Sequence, residues 1–266
     1  GMGTTQMNKV FKNLIEDTPY MGAISFDEKK AKGLFGKGKV VYSQIKMDGR
    51  YCNAIIRGGE VELESRSGEP TVVTGAKFLK ELERFEDCVL NGELTMANTT
   101  RYESNGIIAS IIDIQSKRSE RTEVETNKKI AEFEKKNGNF QEALDSIRFT
   151  IWDTITVDEY FDKKSKTKYN IRLIKVGELI GNAKAKMVSM IKTKICNTYA
   201  EAMSHFQEAL SNGEEGTIIK AYDGEWKDGK PSHQIKMKLE MDVDLKIVSF
   251  NYGAKGTKNE NLISSL

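Results

Sequence analysis

The sequence predicts an α+β fold built mainly on antiparallel sheet, and three observations carry that expectation. Short β-rich runs follow one another across tight Asp-Gly and Gly-Gly turns instead of alternating with helices. A well-capped amphipathic helix stands late in the chain, between further strand-like runs. No segment repeats at a fixed period, and nothing alternates in the manner of a doubly wound βαβ array.

Taken in order, VVYSQIK (40–46), YCNAIIRG (51–58) and EVELESRS (60–67) read as a three-strand meander joined at Asp48-Gly49 and Gly58-Gly59. AKFLKELERF (76–85) spaces its apolar residues as a helix does, and CVLNGELT (88–95) returns to strand. The stretch 97–140 is polar and reads as an insertion with too little apolar content to bury a core; its second part, ETNKKIAEFEKKNG, predicts a solvated helix ending at Gly138. A strand over 146–155, a helix over 169–180 and a strand over 186–196 follow. The most secure helix is 198–213: Thr198 and Glu201 form a capping-box pattern, Ala202, His205, Phe206, Ala209 and Leu210 line one face, and Gly213 ends it. TIIKAY (217–222), SHQIKMK (232–238) and DVDLKIVSFNYG (242–253) are strand-like.

Composition narrows the class without naming it. With 41 Lys+Arg against 39 Asp+Glu, the chain is not a tail-type nucleic-acid binder, although one face can still concentrate cations. Cys52, Cys88 and Cys196 stand far apart and read as reduced core thiols of a cytoplasmic protein; two histidines without ligand spacing make a structural zinc improbable. No run approaches the length of a membrane span, so a membrane partner is not expected. Gly1 ahead of Met2 looks like the residue of a cleaved tag and is set aside.

Short motifs then stand in order on these elements. KMDGR (46–50) ends a strand in a lysine, SRSG (65–68) offers an arginine at a turn, and NGEL (91–94) puts Glu93 where strands disfavour acids. FTIWD (149–153) pairs aromatics with a carboxylate. EGTIIK (215–220) precedes KMK (236–238), whose lysines at i and i+2 project from one strand face; aligned like charges repel, so an anionic partner is a reasonable inference. Each motif alone has an ordinary alternative, a solvated lysine or a packed tryptophan.

As an ordered set over about residues 20–255, these motifs resemble those of the covalent nucleotidyltransferases, which comprise ATP-dependent DNA ligases, RNA ligases and capping guanylyltransferases. RYESNGI (101–107) and KMKLEMDVDLKIV (236–248) look like the DNA ligases of T-even-type bacteriophages. The resemblance implies an ATP-grasp-like domain of antiparallel sheets flanked by helices over 21–240, a lead-in over 1–20, and the opening of an OB domain over 241–266. The chain would thus be a catalytic-core fragment, a monomer acting on nicked double-stranded DNA with ATP and Mg2+. Lys46 would be the nucleophile that becomes lysyl-AMP, assisted by Lys236 and Lys238 on the α-phosphate. Gln44 would lie near the adenine edge and Trp152 would stack on the base; Arg66 would contact phosphate and Glu93 the ribose. Arg50 and Lys220 would complete the nucleotide contacts, with Glu215 and Glu93 as metal ligands.

The chemistry agrees with these residue types, since phosphoryl transfer needs charge neutralisation and in-line placement more than covalent help. Two departures stand out. The family spaces its arginine as KxDGxR, which puts Tyr51 at the expected place and Arg50 one residue early, on the other face of a strand. Asn91 stands where the family usually has Asp. The alternatives are an RNA ligase or capping-type enzyme and a non-catalytic nucleotide- or DNA-binding relative. A P-loop at GLFGKGKV (33–40) is a poor third, because Val40 stands where Ser or Thr should hold magnesium.

Overall fold

The computed structural model describes residues 18–36, 38–97, 99–238, 251–253, 255–256, 260 and 262–265. Two sheets carry the fold. The larger has five strands in the order β3 (Glu60–Glu64), β2 (Arg50–Arg57), β4 (Cys88–Met96), β5 (Ile147–Ile155) and β7 (Val188–Met190). All its pairs are antiparallel except β5 with β7. The smaller has four strands, β11 (Gln234–Lys238), β9 (Gly216–Ala221), β1 (Val41–Ile45) and β8 (Thr193–Cys196), antiparallel throughout.

Alternation along each strand gives each sheet one apolar and one mixed face. On the five-stranded sheet Cys52, Ala54, Ile56, Leu90, Leu94, Phe149 and Ile151 face the main core. Helices cover them: α2 (Lys77–Leu82), α3 (Arg101–Ser116), α4 (Glu123–Asn137), α5 (Phe140–Asp145) and α7 (Tyr169–Ala183) all contribute to this core. On the four-stranded sheet Val41, Ile219, Ile235 and Met237 pack under α8 (Tyr199–Ser211) and α1 (Glu28–Gly33). Both mixed faces turn toward a shared cleft.

Three expectations need correction. Strands 40–46 and 51–58 are not neighbours in a meander: β1 belongs to the small sheet and β2 to the large one, so Lys46–Gly49 is a crossing between sheets. Turn-forming Asp-Gly serves a crossing as well as a hairpin, which is why the two look alike in sequence. The stretch 97–140 is not a core-less insertion. Its helix α3 is fixed by a capping box, Thr100 with Glu103, and sends Ile108, Ile111, Ile112 and Ile114 into the main core, each gaining roughly 1.5–3 kcal/mol by burial before ordering costs. The strand expected over 186–196 is two strands in two sheets, since the chain leaves β7 at Met190 and joins β1 from Thr193.

Helix α8 matches its expectation closely, with Thr198 accepting from Glu201 N at 3.2 Å. The reciprocal half of the box is replaced, for Glu201 takes Asn197 N at 2.7 Å. The remaining short elements are α6 (Val157–Phe161), β6 (Lys164–Ser165), β10 (Trp226–Lys227), and the pair β12 (Asn251–Tyr252) with β13 (Ile263–Ser265). Of the strand expected over 242–253, residues 242–250 lie outside the described residues. Among the described residues no helix is long and apolar enough to cross a membrane.

Candidate active site

A cavity of about 310 Å3 opens between the mixed faces of the two sheets. Gln44 and Lys46 enter it from β1 and the residue after it, Ile218 and Lys220 from β9, and Gln234 and Lys236 from β11. Tyr51, Glu93 and Trp152 enter from the large sheet, and Arg66 from the turn after β3. The segment Tyr20–Ala23 closes one side, held by Gly22 N to Gly229 O at 2.8 Å and Ile24 N to Gln234 O at 2.9 Å. Seven of the expected site residues therefore meet here: Gln44, Lys46, Arg66, Glu93, Trp152, Lys220 and Lys236.

Local geometry explains the glycines of the motifs. A Cβ on Gly49 would lie 2.5 Å from the Leu94 carbonyl oxygen and 2.8 Å from Glu93 Cγ, while Gly49 N donates to Glu93 Oε1 at 2.6 Å. Gly216, at φ +141°, has no room for a side chain against the Met237 carbonyl, and it bonds the crossing in place through Lys46 N to Gly216 O at 2.9 Å. Alternation from Ile151 turns Trp152 away from the main core, and a bulge sets the facing of the residues that follow it. Asn91 pairs with Asp153 and Gly92 with Ile151, so Trp152 has no partner on β4. The extra residue turns the strand: Phe149 and Ile151 face the main core, whereas Ile155 faces the cluster of Ile55, Val89, Tyr160 and Trp226.

The charged side chains gather at one end. Lys46 Nζ donates to Glu215 Oε2 in an ion pair that remains partly open to solvent. Lys236 has its ammonium pKa lowered by partial burial and by the like charges of Lys230, Lys238, Lys46 and Arg66. Such a cluster of cations is costly until an anion joins it. Arg66 lies over the Tyr20 ring at 4.1 Å from its centroid, which fixes the guanidinium at the rim. Glu93 is pushed up to about 7, first by burial and then by Asp48 and Glu215, against the pull of the Gly49 N–H and Lys46.

The other end is apolar and closed. Trp152, Ile191 and Ile218 form a slot, with the buried Gln234 beside it; Gln234 Nε2 has no hydrogen-bond partner among the described residues. Lys220 is buried, its amine pushed down to about 7 by desolvation and the Arg172 charge, with Asp153 opposing.

Two expected residues are placed elsewhere. Arg50 pairs across the sheet with Leu94, a core residue, and is absent from the cavity lining; its Nε is buried without a partner among the described residues. Tyr51, one step on, faces Glu93 and lines the cavity. The period of two puts Arg50 on the opposite strand face from Tyr51, away from this cavity. Lys238 is exposed at the end of β11, on the Lys236 face but outside the lining. Asn91 is also away from the cavity, donating to Asn53 Oδ1 at 2.7 Å and accepting from Trp226 Nε1 at 3.1 Å.

Several residues escaped sequence reasoning. Tyr20 and Tyr51 stack edgewise at 5.1 Å, and Tyr51 meets Trp152 at 5.9 Å. Asp153 is locked by Arg172 at 2.7 and 3.0 Å, an ion pair buried on both sides. Tyr169 bonds Gln44, Lys220 and the Trp152 carbonyl. Only FTIWD hinted at Asp153, and no local signal marked Arg172 or Tyr169.

Comparison with known proteins adds a second, independent line. Residues 20–238 match the family described as ATP dependent DNA ligase domain. The DNA ligases of Enterobacteria phages T4 and T6 are each 29% identical to this chain over 269 aligned positions, covering 93% of it and 54% of each relative. The chain thus spans about half the length of these curated relatives. Among solved structures, the ATP-dependent DNA ligase from bacteriophage T7 in complex with ATP superposes with a TM-score of 0.64 at 19% identity, over 92% of this chain and 76% of that one.

Proposed function

The chain belongs to the ATP-dependent DNA ligase domain family, and from that membership we propose that it is the adenylylating core of a DNA ligase whose nucleophile is Lys46. The observation that carries this reading is the position of Lys46 at the crossing between the two sheets, its amine in the cavity between a cationic end and an aromatic slot.

In this reading ATP lies with its base against Trp152 and its α-phosphate near Lys46 and Lys236. Lys46 first gives up a proton, for which the carboxylate of Glu215 is in contact. Its Nζ then forms a bond to the α-phosphorus as the bond to the β-phosphate oxygen breaks, releasing pyrophosphate. Lys236 and Arg66, with Lys238 further out, offset the charge on the phosphate oxygens, the main need of such a step. Glu93 accepts from the ribose hydroxyls. The AMP is next passed to the 5′-phosphate at a nick, and the 3′-hydroxyl displaces it.

The donor set fits magnesium. Among the described residues no three acids or histidines form a cage, yet Mg2+ ordinarily needs only one or two carboxylates, with waters and substrate phosphates completing its shell. Glu215, partly exposed beside Lys46, and Glu93 would hold it. When bound, it neutralises phosphate oxygens and favours pyrophosphate as a leaving group.

Residues 21–240 form the nucleotidyltransferase unit in this account; the OB domain expected over 241–266 falls largely outside the described residues. The protein acts as a monomer in the cytoplasm of the host cell, with nicked duplex DNA as partner. Support comes from the phage relatives and their DNA ligase identity. A non-catalytic relative would have no use for Lys46, Glu93 and Lys236 in one cavity with Glu215 in contact with Lys46.

The test is a single-turnover transfer. Protein charged from ATP and Mg2+ is mixed with nicked duplexes carrying DNA or RNA at the nick. Transfer of AMP to the DNA 5′-phosphate is expected; transfer to RNA alone would replace the reading with an RNA ligase.

A further inference from the structure

Behind Gln44, which lines the closed end of the cavity, stand two hydroxyls whose protons are already committed. Tyr169 Oη, at the start of α7, donates to the main-chain carbonyl of Trp152 at 2.7 Å. The same oxygen accepts from Gln44 Nε2 at 2.7 Å and from Lys220 Nζ at 3.2 Å. Thr193 Oγ1 donates to the Ile191 carbonyl at 3.2 Å and accepts from Gln44 Nε2 at 3.0 Å.

A primary amide has two N–H donors and one carbonyl acceptor. Both N–H groups of Gln44 meet oxygens that have no proton left to give. Turning the amide over would set Oε1 against those two oxygens and break two hydrogen bonds in a buried place. The neighbours therefore fix the orientation. Gln44 lines the cavity, so the group it can offer there is Oε1, an acceptor.

An acceptor beside the Trp152 slot suits a base edge that carries an exocyclic amine and repels one that carries a carbonyl. We propose that Tyr169 is a positioning residue for nucleobase choice: it holds Gln44 with its oxygen toward the base and so favours a 6-aminopurine over a 6-oxopurine nucleoside triphosphate. This rests on the reading of the cavity as the nucleotide site, though not on the reactivity of Lys46.

The experiment compares calorimetric Kd values for α,β-methylene-ATP and α,β-methylene-GTP, which cannot transfer their nucleotide, in wild type, Tyr169→Phe and Thr193→Val. Lysyl-nucleotide formation from ATP and GTP is followed in parallel. Wild type should prefer the adenine compound. Each variant frees the amide to turn, and the preference should fall roughly tenfold, the worth of one well-placed hydrogen bond and its unpaired counterpart. In Gln44→Glu/Tyr169→Phe either carboxylate oxygen can face the base, and the preference should return toward wild type. A merely structural Tyr169 would weaken both compounds by the same factor and leave the ratio unchanged, which would overturn the proposal. Binding with the expected ratios but no lysyl-nucleotide would leave it standing and refute Lys46 as nucleophile. Absence of binding by wild type would refute both.

Discussion

The two ends of the cavity differ in how completely their polar groups are satisfied. At the base end of the proposed site Gln44 bonds Tyr169 and Thr193, and nearby Asp153 is paired with Arg172. At the phosphate end Lys46, Arg66, Lys230 and Lys236 crowd together with Glu215 as the carboxylate in contact with Lys46. The first arrangement is mostly paired before a ligand arrives, Gln234 Nε2 excepted among the described residues, and in the proposed reading it can select one. The second is unfavourable until an anion joins it and can reward the charge that develops in a reaction. On the proposed function, selectivity and rate reside in different parts of one cleft, each supplied by the sheet architecture.

The comparison is broken most severely at the phosphate end. Lys236→Ala should slow lysyl-AMP formation by about 100- to 1000-fold, as loss of a charge-stabilising donor does elsewhere. Thermal stability should hold or rise, since a repelled cation is removed; quenched-flow rates with a melting curve would check both. At the base end, Trp152→Ala should raise KM for ATP about tenfold or more, base–aromatic stacking being worth about 1–3 kcal/mol. The effect on kcat should be smaller, because stacking is the same in ground and transition states.

Titration sharpens the contrast further. Glu93 has its pKa raised from 4.5 to about 7, so the fold favours its protonated form. That contribution is fully present below pH 4.5 and is lost as pH rises through about 7. Lys220 moves the other way, from 10.5 down to about 7. Its contribution is full above pH 10.5 and is lost as pH falls toward 7. Unliganded protein should therefore lose stability between pH 4.5 and 7 from the first group and gain it between 7 and 10.5 from the second. Denaturant midpoints across that range should show the acid-side slope flattened in Glu93→Gln and unaltered in Lys220→Met.

The smallest effect is expected outside both ends. Arg50→Met should change adenylylation by less than about twofold, because a strand residue on the core face does not reach the ligand. A larger loss in kcat, with the fold intact, would restore Arg50 to the site.

The sequence drew attention to residues that the structure gathers in one cavity, Lys46, Glu93 and Lys236 among them, because phosphoryl chemistry restricts the residue types that can serve it. It also displayed α8, where cap, periodicity and terminator agree. What it hid was long-range. Lys46–Gly49 reads as a hairpin until the partners of β1 and β2 are known. Helix α3 was obscured by a polar start and Gly106, although IIASIIDI has helical spacing. The facing of Asp153 and Ile155 depends on a bulge beside Gly92, which packs closely against β5. Tyr169 acquires its role only through residues 17 to 125 positions away.

The most direct test is to locate the nucleotide. Protein incubated with ATP and Mg2+, then cleaved and sequenced by tandem mass spectrometry under neutral conditions, should carry one AMP on Lys46 through an acid-labile, hydroxylamine-sensitive bond. Lys46→Ala should carry none. AMP found on Lys220 or Lys236, or label persisting in Lys46→Ala, would contradict the account.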